Sequence, residues 1–169
     1  MKTKHLLLCC MLLTSIGFIS CKKNNSSTSN LQVKLTDSPA SYDAVNVDIQ
    51  QVKINFRDDS TGWVSLTTNA KVYNLLALQN GVETLLATGT VQTGLVKEIR
   101  LILGNSNTII DGGVSYPLTV PSGSESGLKI KVGKSLNATL ENLVIDFDAA
   151  LSISQESTGY KLRPVLKIK

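Results

Sequence analysis

Histidine, cysteine and methionine are missing from most of this chain. The only histidine, both methionines and all three cysteines precede residue 22. Their absence excludes several chemistries from the rest of the sequence: a Ser-His-Asp triad, a cysteine nucleophile, zinc bound by thiolate or imidazole, a disulfide framework and histidine-ligated haem. Acid–base catalysis there would depend on carboxylates, tyrosine and lysine, whereas general bases are most often histidine.

An excess of positive charge is also missing from the part of the chain that is expected to fold. The sequence has 17 Lys and Arg residues against 13 Asp and Glu, with a formal net charge of +4. Four of the basic residues (Lys2, Lys4, Lys22 and Lys23) precede residue 24, so 13 residues of each sign remain. The remainder contains no basic run that would follow a phosphate backbone, and nucleic acid is not an expected partner.

Residues 1–20 have the three parts of a secretory signal peptide: a basic start, an apolar run and a small residue at the end. Ser20 directly before Cys21 resembles a bacterial lipobox, which predicts cleavage before Cys21 and lipid attachment to its thiol. The alternative is ordinary cleavage that leaves Cys21 as an incidental thiol. Residues 21–30 then form the lipidated cysteine and a flexible polar tether. The expected location is the outer membrane, with the body on the periplasmic or cell-surface face.

From residue 31 to residue 169 the apolar residues alternate with polar ones, as in half-buried strands. The longest alternating run extends from Leu143 to Ile153. The run that begins at Val45 changes phase at Gln50-Gln51, which predicts a β-bulge. Asp111-Gly112 predicts a two-residue hairpin turn. These patterns predict an all-β antiparallel sandwich of about eight to ten short strands, with a closed barrel as the alternative.

The order of several segments along this region resembles one known family, the domain of unknown function family 4382, found on exported lipoproteins of Bacteroidota. The segments are Leu35-Thr-Asp-Ser-Pro39, Tyr42-Asp-Ala-Val-Asn-Val47, Leu75-Leu-Ala-Leu-Gln-Asn-Gly81, Thr93-Gly-Leu-Val-Lys-Glu-Ile-Arg-Leu101, Pro121-Ser with Ser126-Gly-Leu-Lys129, Asp146-Phe-Asp-Ala149 and Tyr160-Lys-Leu-Arg-Pro-Val165. The resemblance implies a transthyretin-like or immunoglobulin-like sandwich on an envelope lipoprotein. It implies no cofactor and no catalytic residue.

Two aspartates near the end of the longest alternating run are the first candidate site. Asp146 and Asp148 are two residues apart on a predicted strand, so their side chains would share one face, roughly 6–7 Å apart. Such a pair could bind Ca²⁺ or hydrolyse a glycosidic bond. It could equally pair with basic side chains of neighbouring strands, for which Arg100 and either Lys97 or Arg163 are the candidates.

Four further residues belong to candidate sites. Asp37 precedes a Ser-Pro pair and is expected to close a turn, or to share a cation with Asp43. Trp63 could stack against sugar rings, or fill a core or rim position. The triplet Asp59–Thr61 resembles a short O-glycosylation sequon with Ser60 as acceptor, and its alternative is a plain polar turn.

Two classes of function compete for this sequence. The preferred hypothesis is a non-enzymatic binding or structural module that presents loops to a glycan, a protein or another envelope component. The rival is a hydrolase that uses paired carboxylates such as Asp146 and Asp148. A calcium-stabilised adhesin would need only the same carboxylates.

Overall fold

A computed structural model describes residues 27–121 and 127–169 of the chain. The predicted signal peptide, Cys21 and most of the predicted tether lie outside the described residues, as does most of the predicted loop between Pro121 and Gly127. Those assignments stay predictions.

The described residues form fourteen strands and three single-turn helices. The strands are β1 (Thr28–Asp37), β2 (Ala44–Asn55), β3 (Trp63–Ser65), β4 (Thr67–Thr68), β5 (Lys71–Asn74), β6 (Thr84–Gln92), β7 (Gly94–Leu103), β8 (Thr108–Asp111), β9 (Val114–Thr119), β10 (Leu128–Leu136), β11 (Leu140–Phe147), β12 (Ile153–Glu156), β13 (Gly159–Leu162) and β14 (Leu166–Ile168). The helices are two 3₁₀ turns, Ser60–Gly62 and Leu75–Leu78, and α1 (Ala149–Ser152). Among the described residues, no helix has the length and apolar character needed to cross a membrane.

The strands form two sheets, and the predicted all-β sandwich is confirmed. One sheet has five strands in the order β14-β11-β1-β6-β4. The other has nine, in the order β10-β7-β2-β8-β9-β13-β12, with β3 and β5 also paired to β2. The protein is therefore built from two separate sheets rather than one closed sheet.

The structure corrects two details of the predicted sandwich. The sheets are mixed rather than antiparallel, because β1 runs parallel to β11 and β9 runs parallel to β13. The strands also outnumber the predicted eight to ten. Very short strands such as β4 and β14 are too brief to give an alternation signal, and the pairing of β1 with β11 joins residues more than a hundred positions apart.

The core lies between the inner faces of the two sheets. In the five-stranded sheet, the apolar positions predicted to face inward on β1 and β11 are buried, and the last three residues of both strands are buried on both faces. β2 and β7 supply the opposite wall. The largest fully buried side chains are Leu31, Leu35, Ile49, Ile54, Leu75, Leu86, Ile99, Leu101, Ile109, Leu143, Ile145 and Phe147.

The predicted bulge in β2 is confirmed. Ile49 pairs with Leu103 of β7, and the next pair joins Gln51 to Ile102, so Gln50 is the extra residue. The bulge restores the phase, since Val52 and Ile54 beyond it are fully buried. β2 can therefore keep one apolar face inward along all twelve residues.

β2 also connects most of the nine-stranded sheet. It pairs with β8 and β7 along one edge and with β5 and β3 along the other. Between β3 and β5 the chain crosses to the other sheet, where β4 pairs with β6. Leu66 N–H donates to the Val52 carbonyl at 2.9 Å, and Val52 N–H donates to Thr68 Oγ1 at 2.9 Å. These bonds join the layers at one edge of the sandwich.

The end of the chain departs from its predicted alternation. β11 stops at Phe147, and helix α1 follows it, so the run predicted to reach Ile153 is wrong beyond Phe147. Leu151, predicted to alternate inward, is 69% exposed. The run from Tyr160 to Ile168 also divides into two strands of different sheets on either side of Pro164, which has no N–H to donate to a strand ladder.

The β8–β9 turn and the start of β1 lie close to their predicted positions but differ from them by one to three residues. The β8–β9 hairpin is confirmed, but its two turn residues are Gly112 and Gly113, with φ of 58° and 77°, rather than Asp111-Gly112. Asp111 ends the strand and pairs with Val114. At the other end of the sandwich β1 begins at Thr28, so the last three residues of the predicted tether belong to the sheet.

Phe147→Ala should destabilise the protein by about 3–5 kcal/mol, because it removes a fully buried ring from the core. Leu151→Ala is the matched control at an exposed site, and we expect it to change stability by less than about 0.5 kcal/mol. Denaturant unfolding of both variants measures the difference. Equal stability of the two would contradict the inward orientation of Phe147.

Candidate functional site

The structure separates the two aspartates that the sequence predicted as a pair. Asp146 lies on β11 and is 2% exposed. Its Oδ2 accepts ion-pair contacts from Lys167 Nζ at 3.1 Å and Lys169 Nζ at 3.7 Å, and its Oδ1 accepts a hydrogen bond from Ser38 Oγ at 3.3 Å. Lys167 lies within β14, directly opposite Asp146 of β11, and Lys169 follows the end of β14.

The predicted partners of Asp146 are wrong, because the local sequence does not show that β14 lies beside β11. Lys97 instead forms an ion pair with Asp58, and Arg163 pairs with Glu156 at 3.1 Å. Arg100 stacks over Trp63. Each of these basic residues lies on the nine-stranded sheet or its edge, away from β11.

Asp148 lies beyond the end of β11 and does not continue its face. It is the N-cap of α1, where its Oδ1 accepts a hydrogen bond from Leu151 N–H at 3.0 Å. Within residues 27–121 and 127–169 no group of three or more acidic, histidine or cysteine side chains is arranged to hold a metal ion. Asp146 and Asp148 therefore have separate structural roles.

Asp37 closes a connection between distant segments rather than a local turn. It ends β1, is 3% exposed, and accepts a hydrogen bond from Ala149 N–H at 3.0 Å. Its Oδ2 has no hydrogen-bond partner among the described residues. Burial raises the pKa of Asp37 to about 6, and the nearby charge of Asp146 adds to the rise. Asp43 stabilises a different turn, the one between β8 and β9, where its Oδ2 accepts a hydrogen bond from Gly113 N–H at 2.8 Å.

A fifth aspartate, Asp48, was not identified from the sequence. It points away from the core yet is buried, because the loop after β7 folds over it. Its Oδ2 accepts a hydrogen bond from Ser106 N–H at 3.1 Å. Any side chain at Gly104 would collide with this carboxylate. The only local signal was a lone acidic residue among the polar positions of β2.

Trp63 lies at the rim of a surface groove and is half-buried. The guanidinium of Arg100 lies over its ring, 4.1 Å from the centroid. The groove has a volume of about 420 Å³. Its lining combines two aromatic rings with hydroxyl and amide groups: Phe56, Arg57, Thr61, Gly62, Trp63, Val64, Thr90, Val91 and Gln92.

Hydrogen bonds hold the loop that leads into Trp63. Buried Asn55 accepts from Arg57 N–H at 2.9 Å and donates to the Asp59 carbonyl at 2.7 Å. Asp59 caps the 3₁₀ turn by accepting from Thr61 N–H at 2.8 Å, and bonds from the Thr61 side chain and backbone lower the pKa of Asp59. Ser60 is exposed on this turn, as a modification site must be. The groove wall is thus preorganised.

Asp37 should make stability fall as pH rises. Its pKa is higher in the folded protein than the ordinary 3.8, so the folded state binds the proton more tightly, and stability is lost as pH rises through about 4 to 6. The full effect is roughly 2–3 kcal/mol. Asp37→Asn removes the titration and keeps an acceptor for Ala149 N–H. We measure the melting temperature of the variant minus that of the wild type. We expect this difference to be larger at pH 7 than at pH 4. A difference that does not change with pH would contradict this assignment.

Comparison with known proteins gives a family and no activity. No curated protein and no solved structure matches the chain. A family model described as "Domain of unknown function (DUF4382)" matches residues 28–164, from the first residue of β1 to the segment between β13 and β14. The match covers well over half of the sequence and contains the Trp63 groove and every aspartate described above. The chain therefore belongs to the DUF4382 family.

Proposed function

We propose that this protein is a non-enzymatic binding module of the cell envelope that takes a glycan in the groove beside Trp63. In this proposal lipid on Cys21 anchors it to the outer membrane, as in exported lipoproteins of Bacteroidota, with the sandwich on the periplasmic or cell-surface face. The observation that carries the proposal is the groove itself.

The groove has the chemistry that a sugar requires. An aromatic face packs against the C–H face of a sugar ring, and polar groups around it bind the hydroxyls. Trp63 supplies the ring, and Thr61, Thr90 and Gln92 supply hydroxyl and amide groups. Because the Arg100 contact and the Asn55 hydrogen bonds hold the wall in place, little ordering is needed on binding.

The arrangement of the aspartates favours binding over hydrolysis. A glycosidase needs two carboxyl groups that reach either side of the scissile bond. Asp146 is buried beneath two lysines, and Asp148 is used as a helix cap. A side chain that is 2% exposed cannot contact a polysaccharide without rearrangement of β14.

The position of the groove relative to the proposed anchor also bears on its ligand. Thr28, the first residue of β1, pairs with Gln92 of the groove wall. The groove therefore lies at the end of the sandwich that the tether enters. The tether predicted from the sequence, shortened to residues 22–27 by the start of β1, would have a reach of roughly 12–15 Å by random-coil scaling. This favours a glycan of the envelope itself over one captured far from the surface.

Cys21→Ala should release the protein from the membrane fraction, because the lipid attachment point is lost. Cys10→Ala, a change within the predicted leader, is the control and should leave the protein membrane-bound. Fractionation of cells followed by immunoblotting measures both. Retention of the Cys21→Ala protein on membranes washed at high salt would contradict the anchor.

Trp63→Ala should weaken glycan binding by about tenfold, which corresponds to about 1.4 kcal/mol of lost stacking. A glycan array followed by calorimetry on the full chain carrying Cys21→Ala makes the measurement. Tyr116→Ala, at an exposed aromatic outside the groove, is the control. Turnover of glycosidase substrates that disappears with Asp146→Asn would overturn the non-enzymatic assignment.

A further inference from the structure

Three cationic residues lie side by side on the outer face of the nine-stranded sheet. Lys53 of β2 pairs with Arg100 of β7, and Arg100 pairs with Lys129 of β10. Residues adjacent to them in sequence, such as Ile54 and Leu101, are fully buried, so the cations point away from the core. Neighbouring strands are about 4.8 Å apart, so the backbone positions of the three cationic residues follow one another directly across three strands. We call these three residues the cationic row.

No carboxylate of residues 27–121 and 127–169 lies within 4.0 Å of a charged nitrogen of the cationic row, whereas Lys97, Lys131 and Lys134 each have an acidic partner. Like charges directly opposite each other on neighbouring strands destabilise a sheet. The row contains two such pairs in succession. Among the described residues, the row therefore carries an unfavourable interaction that a bound anion would relieve.

The cationic row is continuous with the groove through Arg100. Its guanidinium stacks on Trp63, and its buried Nε has no hydrogen-bond partner among the described residues. Arginine binds carboxylate and sulfate groups through paired N–H donors while its plane stacks on an aromatic ring. Arg100 thus lies where a ligand in the groove would meet the row.

We propose that the ligand of this module is an acidic polysaccharide, whose sugar rings contact Trp63 and whose anionic groups bind Lys53, Arg100 and Lys129. The inference rests on the proposed binding function and adds the chemical class of the ligand. A chain of acidic sugars carries regularly repeated charges and polar rings, and so complements both the row and the groove. A flat lipid surface would meet the row but would not fill the groove beside Trp63.

Calorimetric titration of the full chain carrying Cys21→Ala tests the proposal with three probes: polygalacturonate, a neutral glucan of similar length and phosphatidylglycerol vesicles. We expect saturable binding of polygalacturonate that weakens at high ionic strength and no binding of the neutral glucan. The double variant Lys53→Gln/Lys129→Gln should lose about five- to tenfold in affinity. It should also melt at a higher temperature than its parent without ligand, since the repulsion is removed.

Lys71→Gln is the matched control, because Lys71 is an exposed strand lysine that also has no acidic partner among the described residues. It should leave polygalacturonate affinity unchanged.

Polygalacturonate binding that the double variant leaves intact would overturn the cationic row as the site. Equal binding of the neutral glucan, lost with Trp63→Ala, would overturn the acidic class and leave the binding module standing. Vesicle binding lost in the double variant, without polysaccharide binding, would assign the row to lipid, and no binding of any glycan would overturn both proposals.

Discussion

The structure depends on one requirement: β2 must keep its apolar side chains between the two sheets on both sides of an extra residue. β2 pairs with four other strands, so a change in its phase would disturb the packing of most of the nine-stranded sheet. The bulge at Gln50 meets the requirement, and Ile49, Val52 and Ile54 are all fully buried. The same phase directs Lys53 outward. The core and the cationic row are therefore two consequences of the same side-chain phase in β2.

Buried carboxylates hold the connections around this framework. Asp37 binds the start of α1, Asp48 binds the loop after β7, and Asp146 binds the last strand through two lysines. Burying a carboxylate is costly unless it is paired or hydrogen-bonded. At Asp37, where one oxygen has no partner among the described residues, the cost appears as a raised pKa. Asp37 and Asp146, which the sequence predicted as site residues, stabilise the fold instead.

Local patterns predicted the local features. Alternation located β1, β2 and β11, the change of phase at Gln50 predicted the bulge, and paired turn residues located the β8–β9 hairpin. Features that depend on which strands become neighbours were not predictable. Asp146 meets Lys167 only because β14 returns to lie beside β11. The cationic row likewise exists only because β2, β7 and β10 are adjacent. Its three residues are spread over more than seventy positions of a region, residues 24–169, that has equal numbers of acidic and basic residues.

The phase of β2 can be tested most directly by deleting single residues from it and measuring the free energy of unfolding. Deleting Gln50 removes the bulge residue and leaves Ile49 and Val52 in regular alternation, so the account predicts a folded protein that loses about 1 kcal/mol with the hydrogen bond from Gln50 to Asp48. Deleting Lys53 brings Val52 and Ile54 together and turns the following side chains to the wrong face. This variant should lose several kcal/mol or fail to fold. Equal stability of the two deletion variants, or a stable Lys53 deletion beside an unfolded Gln50 deletion, would contradict the account.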